Sequence, residues 1–189
     1  MPRISYVDPD TLVDEESRAI LERARLHGVP RPESQAVRAH VPAILKSFTE
    51  TWYAAIDDGA LDHRTKEMCR LYISKSVECE YCGGQRSATA KDQGLQEIDI
   101  DEILLYPKSD RFSERDKTAL QYADAIAWNS DLADDTLWEK LHHHFTEPQL
   151  VELGYFIALT LGQQRWIRTM DLRHREVLGD TDAGLAAQH

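Results

Sequence analysis

Two thiols three positions apart are the residues of this chain that could most directly do chemistry. Cys79 and Cys82 stand in the run Cys-Glu-Tyr-Cys-Gly-Gly. Such a pair can be a redox dithiol, half of a zinc site, or two small residues packed in a helix. Cys69 brings the total to three cysteines, which is too few for a framework of structural disulfides.

The start of a helix would give the pair a physical reason to be reactive. We predict that Cys79 opens a helix, where unpaired backbone N–H groups and the helix dipole stabilise a thiolate. One thiol could attack an oxidant or a disulfide, and the second could resolve the product. A zinc site would need a second cysteine pair or a histidine pair at finger spacing, which the sequence lacks, so no metal is predicted.

Four ordered segments resemble the alkyl hydroperoxidase D-like branch of the carboxymuconolactone decarboxylase family. Glu67 stands twelve residues before Cys79, as the family's glutamate does before its CxxC motif. The segments His40–Phe48, Ser113–Ala123 and Phe145–Leu153 are similar to three further family motifs. The resemblance covers roughly residues 1 to 170.

This resemblance implies an all-helical fold, homo-oligomers (dimer, trimer or hexamer) and a peroxidase-like reaction. By analogy with the family, Cys82 would be the attacking thiolate and Cys79 would resolve its sulfenic acid as an intramolecular disulfide. Glu67 would belong to a proton relay. The Cys79–Cys82 disulfide would be the redox group, without another cofactor, and a thiol reductant would regenerate the dithiol.

The chain departs from the family at Arg86, where the relay histidine would stand. Arg86 is four residues beyond Cys82, so on a continuous helix both side chains would lie on the same face, where the guanidinium could stabilise the Cys82 thiolate. A guanidinium keeps its proton at neutral pH, however, and cannot act as a general base. Glu67 could pair with Arg86 instead of relaying a proton. Tyr81, at a second relay position, is the candidate substrate-binding residue.

Each candidate also has a purely structural interpretation. Glu67 is within reach of Arg64 and Arg70 on the same helix and could form a surface ion pair. Arg86 could be a salt-bridge residue, Tyr81 a packed aromatic and Cys69 a small core residue. The run 142–144 of three histidines is expected to be a solvated helix end, since consecutive helical residues point about 100° apart. His40 and His174 are the other candidate bases.

The elements that must position these residues are all predicted to be helical. Helices are expected over 14–27, 42–57, 63–77, 79 to about 92, 113–129, 134–144 and from 146 onward, giving about seven or eight in a single all-α domain over residues 1–189. The last of these is apolar on nearly all sides, which indicates a central buried helix or a subunit interface. A linker at 29–33, an irregular segment at 95–112 and a flexible tail at 177–189 complete the prediction.

Composition excludes several classes of function. A net charge of −11 argues against nucleic-acid binding and against an anionic membrane surface. The first residues have no apolar run typical of a signal peptide, and no segment is long and apolar enough to span a bilayer, so a cytoplasmic location is expected.

The sequence therefore predicts a thiol-dependent oxidoreductase that reduces a peroxide or a disulfide. The catalytic candidates are Cys82, Cys79, Glu67 and Arg86. Two alternatives stay open: acid–base chemistry on a small organic acid or lactone, as in the family's other branch, and a non-catalytic oligomeric module.

Overall fold

A computed structural model describes residues 2–56, 59–177 and 184–186, and these residues form ten α-helices and three short 3₁₀ turns without a strand. The helices are α1 (Glu15–His27), α2 (Pro32–Arg38), α3 (Pro42–Ile56), α4 (His63–Ser76), α5 (Glu80–Gly83), α6 (Ala88–Asp92), α7 (Glu97–Glu102), α8 (Glu114–Trp128), α9 (Asp135–His144) and α10 (Glu147–Arg168). The all-α prediction is confirmed. None of the described helices is long and apolar enough to cross a membrane.

Several of the longer helices begin where the sequence places a polar cap. Asp14 accepts the backbone N–H of Ser17 at the start of α1, and Asp62 does the same for Thr65 at the start of α4. Ser113 and Asp116 form a complete capping box at the start of α8. These local contacts explain why the predicted starts of these helices agree with the structure to within a residue or two.

Helix α4 is the buried centre of the molecule and packs between α8 and α10. Residues 65–74 are all buried, which covers almost three turns of the helix on every side. Lys66, Glu67 and Arg70 are among them, at 5 % exposure or less. Because buried charges need partners, this helix carries ion pairs into the core: Lys66 contacts Glu152, and Arg70 contacts Glu67.

Helix α10, predicted to be a central buried helix or an interface, has one core face and one exposed apolar face. Leu153, Phe156 and Ile157 are fully buried against the core. On the opposite side, Val151 is 71 % exposed and Tyr155 is 56 % exposed. The apolar residues on all sides of α10 therefore belong to two surfaces, one in the core and one exposed to solvent.

Three segments differ from the prediction. The expected linker at 29–33 leads directly into α2, because Pro32 stands at the first helical position, where proline is tolerated. The expected irregular segment at 95–112 contains α7, whose start is capped by Gln96 and Asp99. The helix expected from the dithiol to residue 92 is broken between α5 and α6.

The break after the dithiol has two local causes. Gly83 and Gly84 follow the second cysteine, and glycine weakens a helix interior. Ser87 then caps a new helix, because its hydroxyl accepts the backbone N–H of Ala90. Residues 84–87 are consequently a non-helical turn between two very short helices.

Part of the expected flexible tail is held against this turn. The Arg86 backbone N–H donates to the Gly184 carbonyl, and the Ala186 N–H donates to the Gly84 carbonyl, both at 2.8–2.9 Å. Val177 is buried. Residues 178–183 and 187–189 of the predicted tail lie outside the described residues.

Candidate active site

The two cysteines of the motif are joined in a disulfide at the start of α5. Their Cα atoms are 5.3 Å apart, and each residue is 2 % exposed. Cys79 occupies the N-cap position of α5, where its sulfur accepts the backbone N–H of Cys82 at 3.3 Å. The turn of the chain thus gives Cys79 a hydrogen-bond donor that would stabilise negative charge on its sulfur.

Glu67 forms a buried ion pair with Arg70 on the same helix. Its two carboxylate oxygens accept Nε and Nη2 of Arg70 at 2.6 and 2.7 Å, and one of them also accepts the Ser87 backbone N–H at 3.1 Å. Of the two predicted partners, Arg70 is therefore the one that pairs with Glu67, and the pair is buried instead of on the surface. The sequence did not reveal this because hydropathy marks α4 as polar.

Arg70 connects Glu67 to the dithiol turn. Its guanidinium donates to the backbone carbonyl of Cys82 at 2.7 Å and to that of Gln85 at 2.9 Å. These contacts join α4 to the second cysteine and to the residues that follow it. Arg70, which sequence analysis treated only as a pairing option, is the residue that holds this turn.

Arg86 lies away from the position that was predicted for it. Because the helix is broken, Arg86 does not continue the face of Cys82, and its guanidinium pairs with Glu97 of α7 at 2.9 Å. Its Nη1 donates to the carbonyls of Gly83 and Gln85 at 2.5 and 2.8 Å. The predicted Glu67–Arg86 pair is wrong, and the salt-bridge interpretation of Arg86 is the one that the structure supports.

Tyr81 is packed behind the dithiol. Its hydroxyl donates to the buried carboxylate of Glu33 at 2.9 Å, and its ring stacks on His174 with the centroids 4.2 Å apart. Burial and the Glu33 carboxylate raise the pKa of Tyr81 well above its usual value. The hydroxyl is thus a neutral donor with a partner, and the substrate-binding role stays a prediction.

A small cavity lies beside Cys82, and we call it the dithiol cavity. Its volume is about 40 Å³, and its lining residues are Pro30, Arg31, Ser34, Arg38, Phe48, Trp52, Arg70, Cys82, Gln85, Thr160, Gln163, Gln164 and Ile167. Trp52, Thr160 and Gln164 each carry one buried side-chain atom, Nε1, Oγ1 and Oε1 respectively, that has no hydrogen-bond partner among the described residues. This volume would hold about three water molecules or one molecule of similar size.

A larger cavity opens on the other side of Arg70, and we call it the cationic cavity. Its volume is about 350 Å³, and its lining residues are Arg23, His27, Val29, Trp52, Tyr53, Ile56, His63, Glu67, Arg70, Gln85, Arg86, Ser87 and Thr89. Trp52, Arg70 and Gln85 line both cavities and form the wall between them.

Two histidines lie near this arrangement, one of which sequence analysis missed. His63 lines the cationic cavity together with Glu67, and its Nε2 lies 2.7 Å from the Ser87 hydroxyl. The i, i+4 spacing of His63 and Glu67 on one helix could have revealed this. His174 is close to the dithiol, since its Nε2 lies 2.8 Å from the Tyr81 carbonyl, whereas His40 contacts Ser5.

The remaining cysteine and the three histidines contribute no site among the described residues. Cys69 is fully buried, and burial raises the pKa of its thiol far above the usual range. His142 lies 3.4 Å from Glu147 at the exposed end of α9. No group of three or more metal-binding side chains occurs in the described parts of the chain.

Comparison with known proteins shows which families and structures this chain is similar to. Residues 42–125 match the model of the carboxymuconolactone decarboxylase family, and this segment includes the glutamate, the CxxC motif and most of α8. This segment, somewhat less than half of the chain, is therefore similar to that family. The resemblance drawn from the four sequence segments is thereby confirmed.

The curated proteins to which the chain is similar are themselves uncharacterized. Rv2313c of Mycobacterium tuberculosis is 35 % identical over 99 residues, which are 52 % of this chain and 34 % of that protein. YnjA of Escherichia coli K12 is 26 % identical over 112 residues, which are 59 % of this chain and 62 % of that protein. The chain therefore spans about a third of the length of the mycobacterial relative, and the relatives do not establish its activity.

Solved structures share the fold over nearly the whole chain. A peroxidase-related protein with an alkylhydroperoxidase AhpD core from Ralstonia eutropha JMP134 has a TM-score of 0.76 at 22 % identity, covering 91 % of each chain. The debrominase Bmp8 in complex with 2,3,4-tribromopyrrole has a TM-score of 0.74 at 15 % identity, covering 90 % of each chain. At these identities the likeness establishes an AhpD-like all-α fold and leaves the reaction open.

Proposed function

We propose that this protein is a dithiol oxidoreductase that reduces a peroxide or a disulfide through Cys82 and Cys79. The observation that carries the proposal is the placement of Cys82. This residue lines the dithiol cavity and is within disulfide-bonding reach of Cys79. The matching family model is named for a decarboxylase, and the solved structures with this fold include a peroxidase-related protein. Both similarities support an enzymatic role.

The proposed roles of the two thiols follow from their surroundings. Cys82 lines the cavity and would be the nucleophile, whereas Cys79 does not line it and would be the resolving thiol. When a reductant attacks the sulfur of Cys82, Cys79 leaves as a thiolate, and the Cys82 N–H that it accepts would stabilise that leaving group. The arginines of the cavity wall favour negative charge at Cys82.

The peroxide reaction would proceed in two balanced steps. The Cys82 thiolate attacks one peroxide oxygen, the O–O bond breaks, and an alcohol or water leaves after taking up a proton. Cys79 then attacks the sulfur of the resulting sulfenic acid, and water leaves as the disulfide forms. Two molecules of a thiol reductant return both electrons by thiol–disulfide exchange and leave as their own disulfide.

Glu67 and Arg86 take supporting roles in this proposal. Arg70 donates to both oxygens of Glu67, so Glu67 is a positioning residue for the dithiol turn and a poor general base. Arg86 holds the same turn from the other side through the Gly83 and Gln85 carbonyls. The same ion pair gives no support to the acid–base alternative on an organic acid or lactone, which would need Glu67 as a free base.

Mass spectrometry of the reduced protein after stoichiometric hydrogen peroxide tests the proposal. We expect rapid loss of two hydrogens that maps to Cys79 and Cys82. The Cys79→Ser variant should accumulate a sulfenic acid at Cys82 that a dimedone probe traps, and Cys82→Ser should not react. Cys69→Ala is the matched control and should behave as the wild type, because that thiol is buried and unreactive.

Two results would contradict the proposal. One is a reduced protein whose thiols stay unchanged with both hydrogen peroxide and a small disulfide such as hydroxyethyl disulfide, which would favour a non-catalytic module. The other is a Cys82→Ser variant that consumes either oxidant at the wild-type rate, which would place the chemistry elsewhere.

A further inference from the structure

The proposed chemistry needs a thiolate at Cys82, although the surroundings of this residue work against negative charge. Cys82 is almost completely buried, and burial disfavours the charged form of a thiol. Cys69 illustrates the effect: it is fully buried, and desolvation raises the pKa of its thiol far above the usual range. The net charge of −11 further disfavours a negative charge at Cys82. A nearby cation without a carboxylate partner would offset both effects.

Three arginines line the dithiol cavity, and two of them already have a carboxylate partner. Arg70 binds both carboxylate oxygens of Glu67, and the Nε of Arg31 lies 3.7 Å from the carboxylate of Glu33. Arg38 is 3 % exposed and forms no ion pair with a described residue. Arg38 therefore carries a buried positive charge that no carboxylate in the described part of the chain balances.

The guanidinium of Arg38 is held by neutral groups instead. Its Nη1 donates to the Ser34 carbonyl and to Gln35 Oε1 at 3.0 and 3.1 Å, and its Nη2 donates to Gln163 Oε1 at 2.6 Å. It lies over the Phe48 ring, 3.6 Å from the centroid. A guanidinium has five N–H groups, so two of them have no acceptor among the described residues. Burial lowers the pKa of Arg38 to about 9, which leaves the group positive at neutral pH.

The other walls of the dithiol cavity add no charge. The side chains that α3 and α10 contribute do not titrate; they are Phe48, Trp52, Thr160, Gln163, Gln164 and Ile167. Outside the cavity, the charge of Glu33 is shared by Arg31 and the Tyr81 hydroxyl, and the pKa of His174 is lowered by burial, so this histidine is neutral at pH 7. Among the charged groups around Cys82, Arg38 is thus the one without a counter-charge.

We propose that Arg38 is the counter-charge of the Cys82 thiolate, in an ion pair that exists only when the dithiol is reduced. A thiol reductant transfers two electrons to the disulfide and is itself oxidised to a disulfide. With the uptake of one proton, the protein is left with a thiol at Cys79 and a thiolate at Cys82. The new ion pair stabilises the reduced protein and so raises the reduction potential of the disulfide. Arg38 acts through Cys82 and is a positioning residue for the reaction.

This inference rests on the proposed function in one respect, namely that Cys79 and Cys82 form a reversible redox pair. Ionisation of Cys82 is measured without any substrate, so the two ideas can fail separately. If Arg38 controls the thiolate and the protein consumes neither a peroxide nor a disulfide, the proposed function fails and the inference stands. If the protein turns over an oxidant and Arg38 has no influence on Cys82, the inference fails alone.

The ultraviolet absorbance of the thiolate, recorded against pH in the Cys79→Ser protein, measures the ionisation of Cys82. The protein that also carries Cys82→Ser supplies the background. At pH 6, Arg38→Met should lower the ratio of thiolate to thiol about tenfold, because it removes the cation and keeps an unbranched side chain. Arg38→Lys restores the charge and should keep most of the ratio. Arg165→Met is the matched control: it removes a guanidinium that also stacks on an aromatic ring, Trp128 at 5.2 Å, but lies outside the cavity.

Redox equilibration of the protein with glutathione gives an independent measurement. The equilibrium constant for reduction of the Cys79–Cys82 disulfide should fall about tenfold in Arg38→Met, since the reduced form loses its ion pair. Arg38→Lys should keep most of the wild-type value, and Arg165→Met should leave it unchanged. A residue that only supported the packing of the cavity would lower the stability of both forms and leave this equilibrium in place. Circular dichroism checks that the variants keep the fold.

Three outcomes would overturn the inference. One is the same thiolate ratio in Arg38→Met and Arg165→Met, which would show that Arg38 has no special influence. Another is an Arg38→Lys protein that behaves as Arg38→Met, which would show that shape and not charge matters. The third needs no variant of Arg38 and decides the question if Arg38→Met does not fold: a Cys82 titration midpoint that is no lower in the folded Cys79→Ser protein than in the same protein unfolded by urea.

Discussion

At the scale of single residues, Glu67 and Glu97 hold the dithiol turn through two arginines in very different surroundings. Glu67 is buried and accepts Arg70 through both of its oxygens. Glu97 is half exposed and pairs with Arg86. Burial removes the water that would otherwise screen a charge. The loss of Glu67 would therefore leave the buried guanidinium of Arg70 without its carboxylate counter-charge.

These surroundings predict different effects of the same substitution. Glu67→Gln should lower the free energy of unfolding by about 3 kcal/mol, because it strands a buried guanidinium. Glu97→Gln should cost less than about 1 kcal/mol, because water screens that pair. Urea denaturation of both variants checks this, and equal costs would show that the Glu67–Arg70 pair is not buried in solution.

The comparison of the two glutamates also shows what the sequence could reveal. The position of Glu67 relative to the cysteines was predicted from the family motif, and its pairing with Arg70 was among the structural interpretations. The position of Arg86 was predicted incorrectly, because the inference assumed one continuous helix after Cys82. Glycine propensity and the Ser87 cap break that helix, and the tertiary contact with Glu97 then decides where the guanidinium points.

At the scale of elements, the chain after α10 packs behind the dithiol. His174 stacks on Tyr81 and contacts its carbonyl, and the Arg175 N–H donates to Glu33. The backbone of residues 184–186 pairs with the turn after Cys82. Helix starts with polar caps were predictable, whereas this docking depends on contacts between residues more than ninety positions apart, which no local pattern encodes.

The docked histidine predicts a pH dependence of stability. Burial, followed by the charge of Arg31, lowers the pKa of His174 below its usual 6.5. The unfolded chain therefore binds this proton more readily than the folded one, so stability falls as the pH drops below about 6.5 and through the lowered pKa. Above 6.5 both states are neutral at this residue, and its contribution does not vary.

Thermal unfolding between pH 7.5 and 5.5 measures this dependence. His174→Gln should lose part of the acid-induced decrease in melting temperature, since glutamine does not titrate. It should also lower stability at pH 7.5 by about 1 kcal/mol through the loss of the stacked ring. His143→Gln, at an exposed position of α9, should keep the wild-type pH dependence. A wild-type pH profile in His174→Gln would contradict the assignment.

At the scale of the whole molecule, the exposed apolar side of α10 is a surface for which the described fold provides no covering element. Val151 and Tyr155 lie beside α3 and, with Ala54 and Pro148, border a shallow groove of about 450 Å³. Contiguous exposed apolar surface is a feature of protein–protein interfaces. The resemblance to the family implied a homo-oligomer, and a second copy of this chain is the partner that we propose for this surface.

A charge at the centre of that surface should disrupt the assembly. We expect Val151→Glu to shift the mass measured by multi-angle light scattering towards that of the monomer, because burying an unpaired carboxylate at an interface is costly. Leu26→Glu is the matched control, since Leu26 on α1 is also 71 % exposed and lies away from the groove. Equal masses for the wild type and Val151→Glu would place the interface elsewhere, and a wild type that is monomeric at all concentrations would refute the oligomer itself.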